Sequence, residues 1–284
     1  MLPNPIARIL IAGATAATLL FAWTIVQEPP YETVVTMFDV GQGDAIFIQA
    51  PNGRTALIDT GPSREILSRL AMSLGPSLRS LDLVVLTHPD ADHIGGTAEL
   101  LRRFFVASIL ESGAKRKAKF FETLEEAIAE EETPRLLSRP GTTLELDSGV
   151  RLEVLAPAED VAGKVVENSN NLSVVSRLRV GARSVLLMGD AEKEEEAEVL
   201  ARLPRPRVDV LKVGHHGSRT SSSAAFLQAT RPHIALISVG RNNPYGHPHP
   251  EVLQQFSKIG SAVYRTDELG DIRVRTTGYA LTVE

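Results

Sequence analysis

In Thr87-His-Pro-Asp-Ala-Asp-His-Ile-Gly-Gly96, two histidines and two aspartates lie within six residues, directly after the apolar run Leu83–Leu86. The apolar run predicts a buried strand. Imidazoles and carboxylates at this density indicate a metal site, because a cation offsets their mutual repulsion and the cost of burying them. The segment therefore predicts a metal centre at the carboxyl end of a strand, where α/β folds place their sites.

The other histidines also cluster, since six of the seven form the pairs 88/93, 215/216 and 247/249. A weak internal repeat relates Leu81–His88 to Val208–His215: each is an apolar strand with an early aspartate and a final histidine. Each also follows an apolar strand that ends in an aspartate, Asp59 or Asp190. Two such halves packed face to face would bring the carboxyl ends of both central strands to one edge. The alternative is coincidence, because apolar strands resemble one another.

The amino-acid composition and net charge exclude several classes of protein and of active site. The chain has 284 residues, 43 % of them hydrophobic, a formal net charge of −5 and no cysteine. These values exclude dominant disorder, a disulfide scaffold, a cysteine nucleophile and thiolate metal ligands. The acidic total gives no global case for a nucleic-acid binder. Two basic runs, Lys115–Lys119 and Arg202–Arg207, are either contacts for a phosphate backbone or ordinary solvated faces.

The N-terminal region carries the apolar stretch Ile9–Val26, with Arg8 before it and Glu28 after it. Its length and flanking charge predict a membrane anchor over residues 1–32, with a cytoplasmic N-terminus and the remaining chain outside the cytoplasm. A cleaved signal peptide or a buried core helix are the alternatives. From residue 33 to 284, strands alternate with helices and no linker intervenes, which predicts one mixed α/β domain.

The His88 segment resembles the metallo-β-lactamase signature His-x-His-x-Asp-His, with Asp90 in place of the second histidine. Further motifs make the chain similar to the metallo-β-lactamase-like domain of the ComEC family of DNA-uptake proteins. These motifs are Phe38-Asp-Val-Gly-Gln-Gly-Asp-Ala-Ile46, Leu57-Ile-Asp-Thr-Gly61, Asn170-Asn-Leu-Ser173, Met188-Gly-Asp190, Leu211-Lys-Val-Gly-His-His-Gly-Ser218 and Tyr245-Gly-His-Pro248. The resemblance covers residues 33–284. It implies a four-layer αββα sandwich and a divalent-metal hydrolase that degrades one DNA strand during uptake.

The resemblance also implies a ligand set for two metal ions. His88 and Asp90 match the first ion's ligands, Asp92 and His93 the second's, and Asp190 the bridging carboxylate. One histidine of the pair 215/216 matches the last ligand. The internal repeat favours His215, with His216 behind it. The candidate catalytic residues are Asp92, His216 and His247.

Two positions depart from the superfamily pattern. Asp90 and Asn171 stand where the zinc enzymes carry histidine. Both changes replace nitrogen with oxygen, which shifts the expected preference from Zn²⁺ towards Mn²⁺, with Mg²⁺ also suited to such ligands.

Three hypotheses for the function follow. The first is a nuclease acting on single-stranded DNA, held at the membrane by its N-terminal helix beside a channel partner. The second is a metallohydrolase acting on a cell-surface phosphodiester or a lactone. The third is a non-catalytic domain that binds DNA or a channel partner. The number of potential metal ligands argues against the non-catalytic hypothesis, because a domain whose metal site only stabilises the fold does not need so many. These ligands are Asp92, His93, Asp190 and His215.

Overall fold

Two large β-sheets form the centre of the protein in a computed structural model, which describes residues 32–75 and 79–284. The strands are β1 (Thr33–Met37), β2 (Ile46–Gln49), β3 (Thr55–Ile58), β4 (Ser80–Leu81), β5 (Leu83–Leu86), β6 (Phe105–Val106), β7 (Ile109–Glu111), β8 (Arg135–Leu137), β9 (Thr143–Asp147), β10 (Val150–Val154), β11 (Ser176–Val180), β12 (Arg183–Leu187), β13 (Val210–Lys212), β14 (Ile234–Ile237), β15 (Ala262–Arg265), β16 (Ile272–Thr276) and β17 (Leu281–Val283). The α-helices are α1 (Glu65–Leu74), α2 (Ala91–Ile94), α3 (Thr97–Leu101), α4 (Lys119–Glu130), α5 (Lys193–Arg202), α6 (Ala224–Thr230), α7 (Pro250–Ile259) and α8 (Thr266–Leu269).

Both large sheets are mixed. The first has the order β17-β16-β1-β2-β3-β5-β7-β8, and the second has the order β15-β14-β13-β12-β11-β10-β9. Antiparallel hairpins build one part of each sheet, and β3-β5-β7-β8 and β12-β13-β14-β15 run parallel. Parallel neighbours need crossover connections, and helices between several of these strands supply them. The small strands β4 and β6 pair with each other.

Alternation along the strands divides the core into three layers of side chains. Ile48 and Val85 of the first sheet share one apolar cluster with Leu152 and Leu178 of the second, so the two sheets pack face to face. The opposite face of the first sheet packs against α1 and α4, and that of the second against α5, α6 and α7. Because successive strand residues point to opposite faces, each sheet buries both of its sides. Helices thus cover the outer face of each sheet.

The expectation of an α/β fold with mixed sheets is confirmed, and β5 has the predicted bounds. Two elements differ. The spacing over residues 95–104 predicts a single helix, but the helix found there, α3, is shorter and follows the separate turn α2. The apolar pattern over residues 172–180 predicts a single strand, but β11 begins at Ser176, because Asn170–Leu172 forms a 3₁₀ turn.

The predicted membrane anchor lies outside the described residues. Within residues 32–75 and 79–284, no helix is long and apolar enough to cross a membrane.

The strand ends meet as the internal repeat predicts. Asp59 follows β3 and His88 follows β5 in the first sheet, while Asp190 follows β12 and the 215/216 pair follows β13 in the second. Both strand pairs are parallel, so their carboxyl ends lie together. The candidate site is built at this shared edge.

Candidate metal centre

Four side chains converge where the two sheets meet: Asp92 and His93 from α2, Asp190 after β12, and His216 after β13. One ligand atom from each lies within 4.8 Å of the others. Asp190 Oδ2 is central, at 3.3 Å from His93 Nε2 and 3.4 Å from His216 Nε2. Asp92 Oδ2 closes the group at 3.4 Å from His216 Nε2. We call these four residues the His/Asp cluster.

His93 is oriented by a carboxylate behind it. Its Nδ1 donates to Asp59 Oδ2 across 2.7 Å, and Asp59 also accepts from the backbone N–H and the hydroxyl of Thr87. Since an ionised carboxylate only accepts, the His93 proton sits on Nδ1 and Nε2 faces the cluster. Asp59 thus orients the His93 ring.

His216, and not His215, lies inside the cluster. Both residues have positive φ, +47° and +53°, in the tight turn Gly214–Gly217, and their ring centroids lie 6.3 Å apart. His216 is buried and donates from Nδ1 to the carbonyl oxygen of Ser238 at 2.9 Å. His215 instead lies beside Glu192 and Thr220, with Nδ1 at 3.1 and 3.0 Å from their side-chain oxygens. His216 is thus the better-placed candidate for the last ligand, and His215 Nε2 also lies 4.0 Å from Asp190 Oδ2.

Of the two residues predicted to bind a first metal ion, His88 and Asp90, the second is already bound by other side chains. His88 is buried, with Nδ1 at 3.0 Å from the Thr87 hydroxyl and Nε2 at 4.0 Å from Asp90 Oδ2. Asp90 Oδ1 is taken by an ion pair with Arg116 and by the hydroxyl of Ser169 at 2.5 Å. A guanidinium thus already supplies a positive charge beside this carboxylate.

Asn171 does not take the place of the missing histidine. Its amide nitrogen donates to Glu194 at 3.2 Å, and its oxygen accepts from the backbone N–H of Glu192 at 2.9 Å. The side chain is thereby bound to the beginning of α5. The expectation that both departures enrich the first site in oxygen is thus wrong for Asn171.

A buried lysine stands behind the cluster, and sequence reasoning missed it. Lys212 pairs with Asp44, donates to the carbonyl oxygen of Gly189 at 2.9 Å and lies 3.8 Å from Asp190 Oδ1. Asp44 is itself buried and within reach of His93. The signal was Lys212 in an otherwise apolar strand, since a buried charge needs a partner.

The buried histidines fall into two groups by the direction in which their pKa is shifted. Burial opposes protonation of His93 and His216, but Asp190 and the other carboxylates outweigh it and raise the pKa of both imidazoles. The same imidazoles overcome burial and hold the pKa of Asp190 well below its usual range. Burial and the neighbouring His93 hold the pKa of His88 well below its ordinary value. The carboxylates therefore attract positive charge strongly, which is the property a cation site requires.

Unpartnered buried atoms test whether a metal fits. In the part of the chain that the structure describes, His88 Nε2, His93 Nε2, His216 Nε2 and Asp190 Oδ1 are buried without a hydrogen-bond partner. Each such atom costs roughly 1–3 kcal/mol unless something binds it. Imidazole nitrogens and carboxylate oxygens together suit Zn²⁺, Mn²⁺ and related divalent ions. The cluster therefore fits a divalent cation.

His247 lies beside the cluster. Its ring centroid is 5.5 Å from that of His215 and 6.4 Å from that of His216. Partial burial and the adjacent His216 lower the pKa of His247 to about 4, so the ring is neutral at neutral pH. The structure thus places His247 beside the cluster, and its catalytic role stays a prediction.

Comparison with known proteins assigns the family. Residues 38–241 match the model of the metallo-beta-lactamase superfamily. The chain belongs to this superfamily. A metallo-beta-lactamase fold protein, YhfI from Bacillus subtilis, is similar in structure, with a TM-score of 0.53 and 13 % identity over 82 % of this chain and 95 % of that one.

Two curated relatives are more similar in sequence. ComE operon protein 3 of Bacillus subtilis is 37 % identical over 95 % of this chain and 36 % of its own length. Competence protein ComA of Neisseria gonorrhoeae is 32 % identical over 86 % of this chain and 32 % of its own length. The chain spans about a third of the length of these relatives. The predicted resemblance is confirmed: this is a metallo-β-lactamase-fold metallohydrolase related to competence proteins.

Proposed function

We propose that the protein hydrolyses phosphodiester bonds in single-stranded DNA with divalent metal, in connection with DNA uptake. The observation that carries the proposal is the His/Asp cluster with its unpartnered imidazole nitrogens. Asp92 is the one member with a partly exposed side chain, at 35 %, against 5 % or less for the other three. A substrate would therefore reach the cluster on the side of Asp92.

The donor set supports phosphodiester chemistry. Divalent cations held at such a site polarise a phosphoryl oxygen and make water a stronger nucleophile at neutral pH. The carboxylates of Asp92 and Asp190 supply oxygen ligands, and Asp90 adds another nearby. Because oxygen ligands suit Mn²⁺ and Mg²⁺, we propose Mn²⁺ as the preferred ion.

The chain's own groups divide the remaining work. Both nitrogens of His216 are committed, Nδ1 to the Ser238 carbonyl oxygen and Nε2 to the cluster. In His247, by contrast, Nδ1 has no hydrogen-bond partner among the described residues. We therefore assign to His247, and not to His216, the hydrogen bond to the leaving oxygen.

One of the two basic runs borders the site. Arg116 contacts Asp90, and with Lys117 it lines a cleft of about 480 Å³ that Val165, Val166 and Glu167 complete. Cations beside a metal site are suited to hold a phosphate backbone. The other run, Arg202–Arg207, lies between the end of α5 and the beginning of β13, at the strand end opposite His216. We expect only the first run to contact the substrate.

The test is cleavage of a fluorescent single-stranded oligonucleotide by the 284-residue chain with Mn²⁺, Mg²⁺ or Zn²⁺. We expect cleavage with Mn²⁺ that EDTA abolishes and that Asp190→Asn reduces at least 100-fold, about the loss of one strong catalytic interaction. Asp209→Asn is the matched control, because Asp209 pairs with Arg183 at the opposite end of β13. A metal-loaded chain that cuts no oligonucleotide would overturn the proposal.

Placement outside the cytoplasm is also a proposal, supported by the apolar stretch Ile9–Val26 and Arg8 in the sequence. Fusions of alkaline phosphatase and of a fluorescent protein after Glu284 test it. An active phosphatase fusion is expected, and fluorescence with an inactive phosphatase would reject the placement.

A further inference from the structure

An exposed aromatic ring stands next to the metal centre. Tyr245 is 63 % exposed, although large hydrophobic side chains are mostly buried in this protein. Its ring lies nearly parallel to that of His247, with centroids 5.7 Å apart and 26° between the ring planes. One face of the tyrosine ring is thus supported by a neighbouring ring.

The loop that carries Tyr245 is held in place from both sides. The side chain of Asn243 donates to the carbonyl oxygens of Gly240 and His247 at 3.1 and 2.7 Å, and it accepts from the N–H of His247 at 3.0 Å. Gly246 follows the tyrosine with φ +72°, a conformation that favours glycine. Such a clamped loop presents the ring with little conformational entropy left to lose on binding.

The ring is connected to the cluster through its neighbours. From Tyr245, the rings of His247, His216, His93 and His88 follow one another at centroid distances of 5.7, 6.4, 5.3 and 4.1 Å. This row runs from the surface to the buried centre. A group resting on Tyr245 would therefore lie beside a phosphate held at the cluster.

We infer that Tyr245 is a stacking platform for a base of unpaired nucleic acid, and that it determines the preference of the site for single strands. The inference rests on the proposed function and names a recognition residue for it. Every nucleobase has a π-face, so an exposed aromatic ring binds unpaired bases with little regard to sequence. In a duplex each base already stacks on its neighbours, so the ring gains nothing there.

The experiment measures binding to the Mn²⁺-loaded chain by fluorescence anisotropy, with two labelled decamers whose phosphorothioate linkages resist cleavage. One decamer is oligothymidylate, and the other has the same backbone with abasic residues. Tyr245→Ala should raise the Kd of the thymidylate about 5- to 100-fold, the loss typical of one stacked base. It should leave the Kd of the abasic decamer unchanged.

Two further variants control for folding and for general surface effects. Tyr245→Phe keeps the ring and should bind both decamers like the unmodified chain. Tyr279→Ala removes a tyrosine that is 82 % exposed near β17 and should also change neither Kd. Equal Kd values for Tyr245→Ala and the unmodified chain, equal losses for both decamers, or no binding of either decamer would overturn the inference.

Cleavage assays separate this inference from the proposed function. If the unmodified chain binds thymidylate through Tyr245 but does not cut it with Mn²⁺, Mg²⁺ or Zn²⁺, the nuclease proposal fails and the stacking role of Tyr245 stands. If the chain cuts thymidylate with Mn²⁺ and Tyr245→Ala neither weakens binding nor raises KM, the platform fails and the nuclease proposal stands. A partner protein as the occupant of Tyr245 would give this second result.

Discussion

The imidazole of His93 is held by Asp59, whose Oδ2 accepts from Nδ1 at 2.7 Å, and its opposite nitrogen faces Asp190. Asp59 is fully buried and receives two further hydrogen bonds from Thr87. A carboxylate behind a metal-binding imidazole fixes the tautomer and increases the basicity of the ligating nitrogen. The affinity of the centre for metal therefore depends on a residue that does not face the cluster.

Asp59→Asn tests this dependence. Asparagine has the same shape and tolerates the positive φ of this position, 59°, so the fold should persist. We expect metal affinity to fall about 10- to 100-fold, as for other partners of metal ligands. Competition titrations with Mn²⁺ and Zn²⁺ measure it. Asp82→Asn is the control, since Asp82 binds Thr55 at the other end of β5. Equal affinities in both variants would contradict the role of Asp59.

His216→Asn and His215→Asn decide between the adjacent histidines. Asparagine suits the positive φ at both positions, and at 216 its amide keeps a donor near the Ser238 carbonyl oxygen. His216→Asn should lose at least about 10-fold in metal affinity, and His215→Asn less than about 3-fold. Mass-spectrometric metal analysis of the purified variants gives the answer. The reverse order would restore the assignment drawn from the internal repeat.

Asp90→His should change metal preference more than stability. The substitution removes an anionic oxygen ligand and adds an imidazole, which favours Zn²⁺ over Mn²⁺. The lost Arg116 ion pair is partly exposed, so its contribution is about 1 kcal/mol or less. Metal titration and a melting curve measure the two effects. Unchanged metal selectivity with an intact fold would mean that Asp90 only holds Arg116.

Glu195 should make stability depend on pH. Burial, with a smaller contribution from Glu198, raises its pKa well above the ordinary value, and both carboxylate oxygens lack a partner among the described residues. Because the folded state keeps this proton above the unfolded pKa, stability falls as pH rises from about 4.3 towards the folded pKa.

Glu195→Gln removes this titration. At neutral pH the variant should be more stable than the unmodified chain by about 1 kcal/mol or more, and near pH 4 the difference should vanish. Urea unfolding at several pH values measures it, with the exposed Glu126→Gln as control. A variant equally destabilised at every pH would show that folding does not raise the pKa of Glu195.

Strong local sequence patterns were sufficient to predict many of the helices and strands. The four apolar residues of β5 and the periodicity of α1 and α7 mark their elements clearly in the sequence. The strand β8 escaped prediction because all three of its residues are exposed at the sheet edge, which leaves no alternation. The short β7 was missed as well, although it is buried, because three residues carry too little pattern.

The sequence predicted which residues form the candidate site better than it predicted how their side chains are arranged in space. The motif around His88 and the repeat located both strand ends. Adjacent histidines share the same local pattern, however, and only the fold shows that the ring of His216 is buried in the cluster while that of His215 is partly exposed. The roles of Lys212 and Tyr245 depend on contacts between segments far apart in the chain, which no local pattern contains.

The most direct test of the metal centre is anomalous X-ray diffraction from crystals of the protein grown with Mn²⁺, recorded above the manganese absorption edge. The structure predicts an anomalous peak enclosed by Asp92, His93, Asp190 and His216, with His215 outside the ligand set. A manganese peak bound elsewhere in the chain, with the His/Asp cluster vacant, would contradict the account.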